Sequence, residues 1–244
     1  MSLRVRAFLI HLAISLVVVA LSLSLVYFVW YPSPLHEALQ VTHVFLVLMG
    51  VDVVLGPLMT LIVYRPEKKY LKLDIFVIAV LQALAFGYGF LTVMEARPVW
   101  LVFNKDRFDL VRAYEIDARR LDKAAPEYRA PSLLGPLWVA ASPPDDVEAR
   151  NDLLFESISG RADVPQRPDL YYPLGRDVSL IKEKAFPLVD LNKYNPSEVV
   201  DQRLSEYPGA NGWLPLNSPR GSMVVLVEKG SGSVLGIVDL APWD

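Results

Sequence analysis

AFLIHLAISLVVVALSLSLVYFVWY, residues Ala7–Tyr31, is 25 residues long without a lysine, arginine, aspartate or glutamate, and it decides the reading of the chain. At about 1.5 Å per residue in a helix, roughly 20 residues cross the ~30 Å hydrocarbon core of a bilayer. Two more apolar stretches of similar length follow, Val41–Tyr64 and Leu73–Met94. A protein with three membrane-spanning helices is therefore expected. From Glu95 onward the composition changes, because most prolines and nearly all charges fall there. The reading is a three-helix transmembrane bundle over residues 1–94, followed by a soluble α+β domain over residues 95–244.

Charge sets the expected orientation. Arg4 and Arg6 precede the first span and Arg65, Lys68, Lys69 and Lys72 link the second to the third, whereas Pro32–Gln40 has no lysine or arginine. Basic loops stay in the cytoplasm. The N-terminus is then cytoplasmic, and an odd number of spans puts the C-terminal domain outside, which in a Gram-negative cell means the periplasm. Arg97, Lys105 and Arg107 oppose this bias, but folded domains translocate largely regardless of charge. The first segment reads as a retained helix rather than a signal peptide, its apolar run exceeding the usual 7–15 residues and lacking a convincing Ala-x-Ala site. Tyr27, Trp30 and Tyr31 suit the headgroup region at the outer end of that span, and Pro32 and Pro34 stop the helix before a turn over Ser33–Gln40.

The net charge of −3 divides into +2 for the membrane part and −5 for the remainder, which argues against nucleic acid or anionic lipid as the main partner of the soluble part. The chain has no cysteine, so disulfides and thiolate chemistry are excluded. Its three histidines are His11, His36 and His43, so the soluble domain has no histidine base or histidine metal ligand. Asp52 is the lone carboxylate in the middle of a span, and an intramembrane aspartyl dyad needs two. Gly87-Tyr88-Gly89-Phe90 has phenylalanine where a Gly-x-Gly-Asp protease motif needs aspartate, and Gly230-Ser231-Gly232-Ser233 reads as a hairpin loop. No catalytic residue, cofactor or metal is expected.

Polar residues inside the spans are the candidate contact sites. Counted from the cytoplasmic ends, Asp52 lies about 18 Å deep, Gln82 about 14 Å, Ser15 about 12 Å and Ser22 about 22 Å, while His11 and Thr60 both lie about 6 Å deep. Two polar layers are predicted. A charge at mid-bilayer costs about 2.5–3.5 kcal/mol on insertion scales, so Asp52 needs a proton, a partner or a wet interior. Gly50, Gly56, Gly87 and Gly89 allow close helix approach, and Gly56-Pro57 is expected to bend the second span. These positions either hold the helices together or contact a partner helix.

In the soluble part, Val99–Phe103, Phe108–Ile116, Leu137–Ala141, Met223–Glu228 and Ser233–Asp239 are strand-like. Asp145–Ser159, Pro196–Tyr207 and, more weakly, Val178–Ala185 are helix-like. Asp145-Asp146 caps the first of these helices. Tyr171-Tyr172, in a proline-rich stretch, is a partner contact or a satellite core. Arg97, Asp106, Arg107, Tyr171 and Tyr172 complete the candidate periplasmic contacts.

Phe8-Leu9-Ile10-His11, Trp30-Tyr31-Pro32-Ser33-Pro34-Leu35, Gly50-Val51-Asp52 with Gly56-Pro57, Leu81-Gln82-Ala83, and Ala96-Arg97-Pro98-Val99-Trp100 with Asp106-Arg107-Phe108 together resemble the TfpX/TfpZ family of type IV pilin accessory proteins. The resemblance runs through Leu3–Ile116 and is thin beyond residue 120. It implies an inner-membrane protein whose partner is a cognate type IV pilin, with other pilus-assembly components and the lipid bilayer as further contacts. It carries over no catalytic residue. A membrane sensor with a periplasmic ligand-binding domain is the alternative, weakened by the absence of a cytoplasmic output domain.

Overall fold

Ser2 opens the first helix, its hydroxyl accepting the Val5 N–H at 3.4 Å, and α1 runs over Leu3–Leu25. The computed structural model describes residues 1–39, 41–219 and 221–243. A π-helical turn, Val26–Trp30, continues α1, and the short α2 (Leu35–Ala38) follows. Gln40, the end of the turn expected over Ser33–Gln40, lies outside the described residues. The other long helices are α3 (Val41–Val63), continuous through Pro57, and α4 (Leu71–Glu95). All three long helices have the length and hydropathy to cross a membrane. Large apolar side chains such as Leu9, Val17, Leu55, Ile62, Phe76 and Leu84 point outward from them, a surface suited to lipid rather than water. One compact unit gathers the three long helices and ends at Ala96; the other holds Arg97–Asp244 together with Glu37–Leu39.

In the helical unit, α3 packs against both α1 and α4. At its Trp30 end the first helix also reaches α4, with Trp30 and Phe90 ring centroids 5.1 Å apart and the Tyr31 hydroxyl donating to the Val93 carbonyl at 2.8 Å. Of the glycines expected to admit close approach, Gly56 does so: a Cβ there would meet the Gln82 side chain within 2.5 Å. At Gly50 and Gly87 a Cβ would meet nothing within 4 Å. Those two glycines make no close helix contact in this unit.

The second unit is built on one mixed, seven-stranded sheet. Its strands are β1 (Pro98–Asn104), β2 (Arg107–Arg112), β3 (Leu137–Ala141), β4 (Tyr171–Tyr172), β5 (Gly212–Asn217), β6 (Met223–Glu228) and β7 (Ser233–Val238). They lie in the order β4-β3-β1-β2-β5-β6-β7. Central β1 pairs antiparallel with β2 and parallel with β3, and it is buried along its whole length. Alternation along β1 sends Trp100 and Val102 to a core with Tyr128, Val139, Leu153 and Tyr171, while Phe103 meets Phe108 at a centroid distance of 5.2 Å. A second core joins Trp213, Val224, Leu226 and Val238 to Val200 of α7 (Ser197–Ser205). The remaining helices are α5 (Val147–Ile158), capped by the Asp146 carboxylate accepting the Ala149 N–H at 2.8 Å, and α6 (Val178–Lys184).

One strand expectation is corrected, and one strand that the sequence pattern did not mark is present. The strand expected over Phe108–Ile116 stops at Arg112, because the Glu115 carboxylate turns back to accept the Arg112 backbone N–H at 2.8 Å and its guanidinium at 2.6 Å. That arrangement folds Ala113–Glu115 into a 3₁₀ turn. Conversely, Gly212–Asn217 is a strand despite Pro215, which cannot donate to a ladder. Trp213 exchanges backbone hydrogen bonds with Phe186, so residues two apart, including Pro215, present their backbone to that edge and leave the ladder to β6 intact.

Candidate functional site

Two side-chain pairs tie the long helices together. His11 Nδ1 and Thr60 Oγ1 lie 2.6 Å apart and join α1 to α3. The Gln82 amide, seated against Gly56, donates from α4 to the Asp52 backbone carbonyl at 3.2 Å and to the Asp52 carboxyl at 3.3 Å. The predicted layers thus bring His11 to Thr60 and Asp52 to Gln82. Ser15 and Ser22 are also buried, but Ser22 donates to Val18 of its own helix at 2.8 Å and bridges nothing by that bond. Such interhelical bonds contribute on the order of 0.6–2 kcal/mol each in a membrane.

Toward the Leu3 end, a cavity of about 590 Å³ is lined by Ile10 and Ile14 of α1, Ile75 and Ala79 of α4, and the His11–Thr60 pair. Its walls are mostly apolar; His11 and Thr60 are paired with each other, and Arg6 and Tyr64 also line it. Such a groove suits apolar side chains rather than an ion or a polar metabolite.

Asp52→Asn keeps a side-chain acceptor for the Gln82 amide, whereas Asp52→Leu removes it and leaves the half-buried amide only the backbone carbonyl of residue 52. We expect the asparagine variant to keep normal abundance and activity, and the leucine variant to lower protein level. Immunoblots of membranes, together with counts of surface pili as the readout that the resemblance implies, check this. An asparagine variant at full abundance but without pili would mean that the carboxylate charge itself is used.

The soluble candidates do not form one site. Arg97 is buried and donates to the Ser132 carbonyl at 3.3 Å. Asp106 and Arg107 sit at the β1–β2 hairpin, the opposite end of a seven-residue strand and so about 20 Å away. There Arg107 reaches Asp109 at 3.2 Å. Burial raises the Asp109 pKa above the usual carboxylate value, opposed by the Asn217 amide and by Arg107. Tyr171 is core: it is 7% exposed, edge-on to Trp100 and Tyr128, with its hydroxyl donating to the Pro165 carbonyl. Tyr172 points the other way and donates to Asp177 at 2.8 Å; burial and this bond push its pKa up to about 12.

A different constellation dominates this unit. Arg167, its side chain 3% exposed, donates twice to Asp169 (2.9 and 2.8 Å) and once to Glu156 (3.2 Å), and lies 3.9 Å from Asp117. Arg119 grips Asp117 at 2.8 and 2.7 Å and also reaches Glu156 at 3.2 Å. The Arg119 bonds hold the Asp117 carboxyl below its usual pKa. Beside this network opens a cleft of about 780 Å³ lined by Tyr114, Glu115, Arg119, Arg161, Asp163 and Gln166 among others. Next to it α5 buries Leu153 and leaves Leu154, Phe155 and Ile158 exposed. The repeated Asp117-x-Arg119 and Arg167-x-Asp169 spacing was a sequence signal for local pairs, but not for their meeting. Among the described residues no group of acidic or histidine side chains is arranged to hold a metal ion.

Comparison with known proteins agrees with the membrane-side resemblance. A family model described as fimbrial assembly protein FimB matches residues 1–40. The chain is 33% identical over 181 residues to the fimbrial assembly protein of Dichelobacter nodosus serogroup I, covering 73% of this chain and 70% of that one. It is 31% identical over 195 residues to the serogroup E1 protein, covering 79% and 76%. No solved structure matches. With long matches to proteins of one description, reaching well past the helices, the chain belongs to the fimbrial assembly protein family.

Proposed function

We propose that the protein is a non-enzymatic inner-membrane accessory factor for type IV pilus assembly that holds a pilin by its membrane stem and its head. On this reading α1, α3 and α4 span the membrane, the N-terminus is cytoplasmic and the sheet domain is periplasmic. The observation that carries it is the apolar groove between α1 and α4, above the His11–Thr60 pair, in a chain whose relatives are named for fimbrial assembly. A pilin waits in the membrane as a long apolar helix with a periplasmic head, so a groove within the spans and a second surface outside them match its two parts. The apolar face of α5, the Asp106–Arg107 turn and Tyr172 are the proposed surfaces for the head. Linking two weak contacts in one molecule raises the effective concentration at the second.

The test measures pilin message, total pilin and surface pili in a deletion strain. Deletion is expected to reduce surface pili with message unchanged, and a version ending near Met94 is expected not to restore them. A primary fall in message, with normal piliation once pilin is expressed from an unrelated promoter, would instead establish a sensor.

A further inference from the structure

We propose that the loop Ser132–Gly135 is a lipid anchor, its leucine tip seated in the interfacial region of the leaflet from which α4 emerges. The inference rests on the reading that α4 spans the membrane. Strand β1 begins at Pro98, three residues after α4 ends at Glu95. Because β3 runs parallel to β1, with Leu137 beside Trp100, the loop preceding Leu137 leaves the sheet at the same edge at which the chain arrives from α4.

A second tie fixes the loop there. Arg97 Nη2 donates to the Ser132 carbonyl at 3.3 Å, and Arg97 is two residues beyond Glu95, a span of at most about 7 Å of chain. The tip is built rather than loose: the Ser132 hydroxyl accepts the Leu134 N–H at 3.0 Å, and Gly135, at φ 105°, supplies a backbone turn that a side chain would strain. This geometry presents Leu133 and Leu134 outward, 63% and 85% exposed. Two adjacent leucines held out from a sheet domain, on a loop tied to a residue two positions along the chain from the end of α4, match an apolar surface in the interface. At the same edge, where Arg112 pairs with Pro98, the Arg112 guanidinium lies 4.5 Å from the ring of exposed Tyr114, a tyrosine-arginine pair of the kind enriched at headgroup depth.

The chain has no cysteine, so single-cysteine variants of the full-length protein can carry an environment-sensitive fluorophore in vesicles of phosphatidylethanolamine and phosphatidylglycerol. Three positions suffice: Leu134→Cys, Leu84→Cys in mid-α4, and Gln202→Cys on α7. The Leu134 probe is expected to emit to the blue of the Gln202 probe and to lose about half or more of its intensity to lipids spin-labelled near the headgroup. The Leu84 probe is expected to be quenched by lipids labelled at the chain end. A Leu134 probe that matches the Gln202 probe and escapes quenching, while Leu84 is quenched, overturns the anchor and leaves the spanning reading standing. A blue-shifted Leu134 probe that escapes spin-labelled lipid also overturns it, in favour of a protein contact. An unquenched Leu84 probe removes the spanning reading and the anchor with it.

Discussion

Arg167→Met is expected to destabilise the sheet domain by about 3–5 kcal/mol, because it leaves Asp169, Glu156 and Asp117 facing an apolar side chain where a guanidinium stood. The whole stability of such a domain is about 5–15 kcal/mol, so the loss is a large fraction of it. Arg167→Lys keeps the charge but cannot make the two-pronged contact with Asp169, and an intermediate loss is expected. Arg119→Met is the control. Arg119 is about half exposed, with a side-chain accessibility of 48%, and its removal is expected to lower stability less than the removal of Arg167. Thermal unfolding of the purified full-length variants, followed by near-UV circular dichroism, orders the three. Equal melting temperatures for Arg167→Met and Arg119→Met would show that the buried network does not hold the domain together.

The same network gives a pH dependence with a definite sign. Asp117 has a folded pKa below its unfolded value near 3.9, so its stabilising contribution is complete above that value and is lost as pH falls through the lower, folded one. Asp117→Asn removes the contribution at neutral pH, and its stability should then fall less steeply between pH 4 and pH 2 than that of the natural chain.

What could be read from the sequence was local or could be counted along a helix. The three long apolar helices follow from hydropathy alone. That His11 lies level with Thr60, and Asp52 within a turn of Gln82, follows from counting along spans of known rise, though which members of a layer pair does not. The Arg167 network was not legible, because Asp117 is far in the chain from Glu156 and Arg167 and meets them through the packing of α5 beside the sheet. Tyr171 and Tyr172 look alike as a pair, and a two-residue strand separates them: neighbours in a strand face opposite ways, so one enters the core and the other keeps an exposed edge. β5 was hidden by Pro215, whose missing amide matters less than its position on the Phe186 edge. Nothing in the sequence marks the Leu133-Leu134 tip, whose place in the fold depends on β3 running parallel to β1.

The second large effect is all-or-none and concerns the pilin itself. If the stem lies in the groove, a photoreactive residue replacing Ile14 or Ile75, both lining it, should form an adduct with pilin in native membranes, and one replacing Phe155 on α5 should capture the pilin head. The same residue at Leu84, which lies outside the groove lining, should capture lipid and little pilin. Identifying the captured protein by mass spectrometry, in membranes of a piliated strain, tests direct contact most simply. The account predicts pilin in the adducts from Ile14, Ile75 and Phe155; adducts at all three positions that contain no pilin would contradict it.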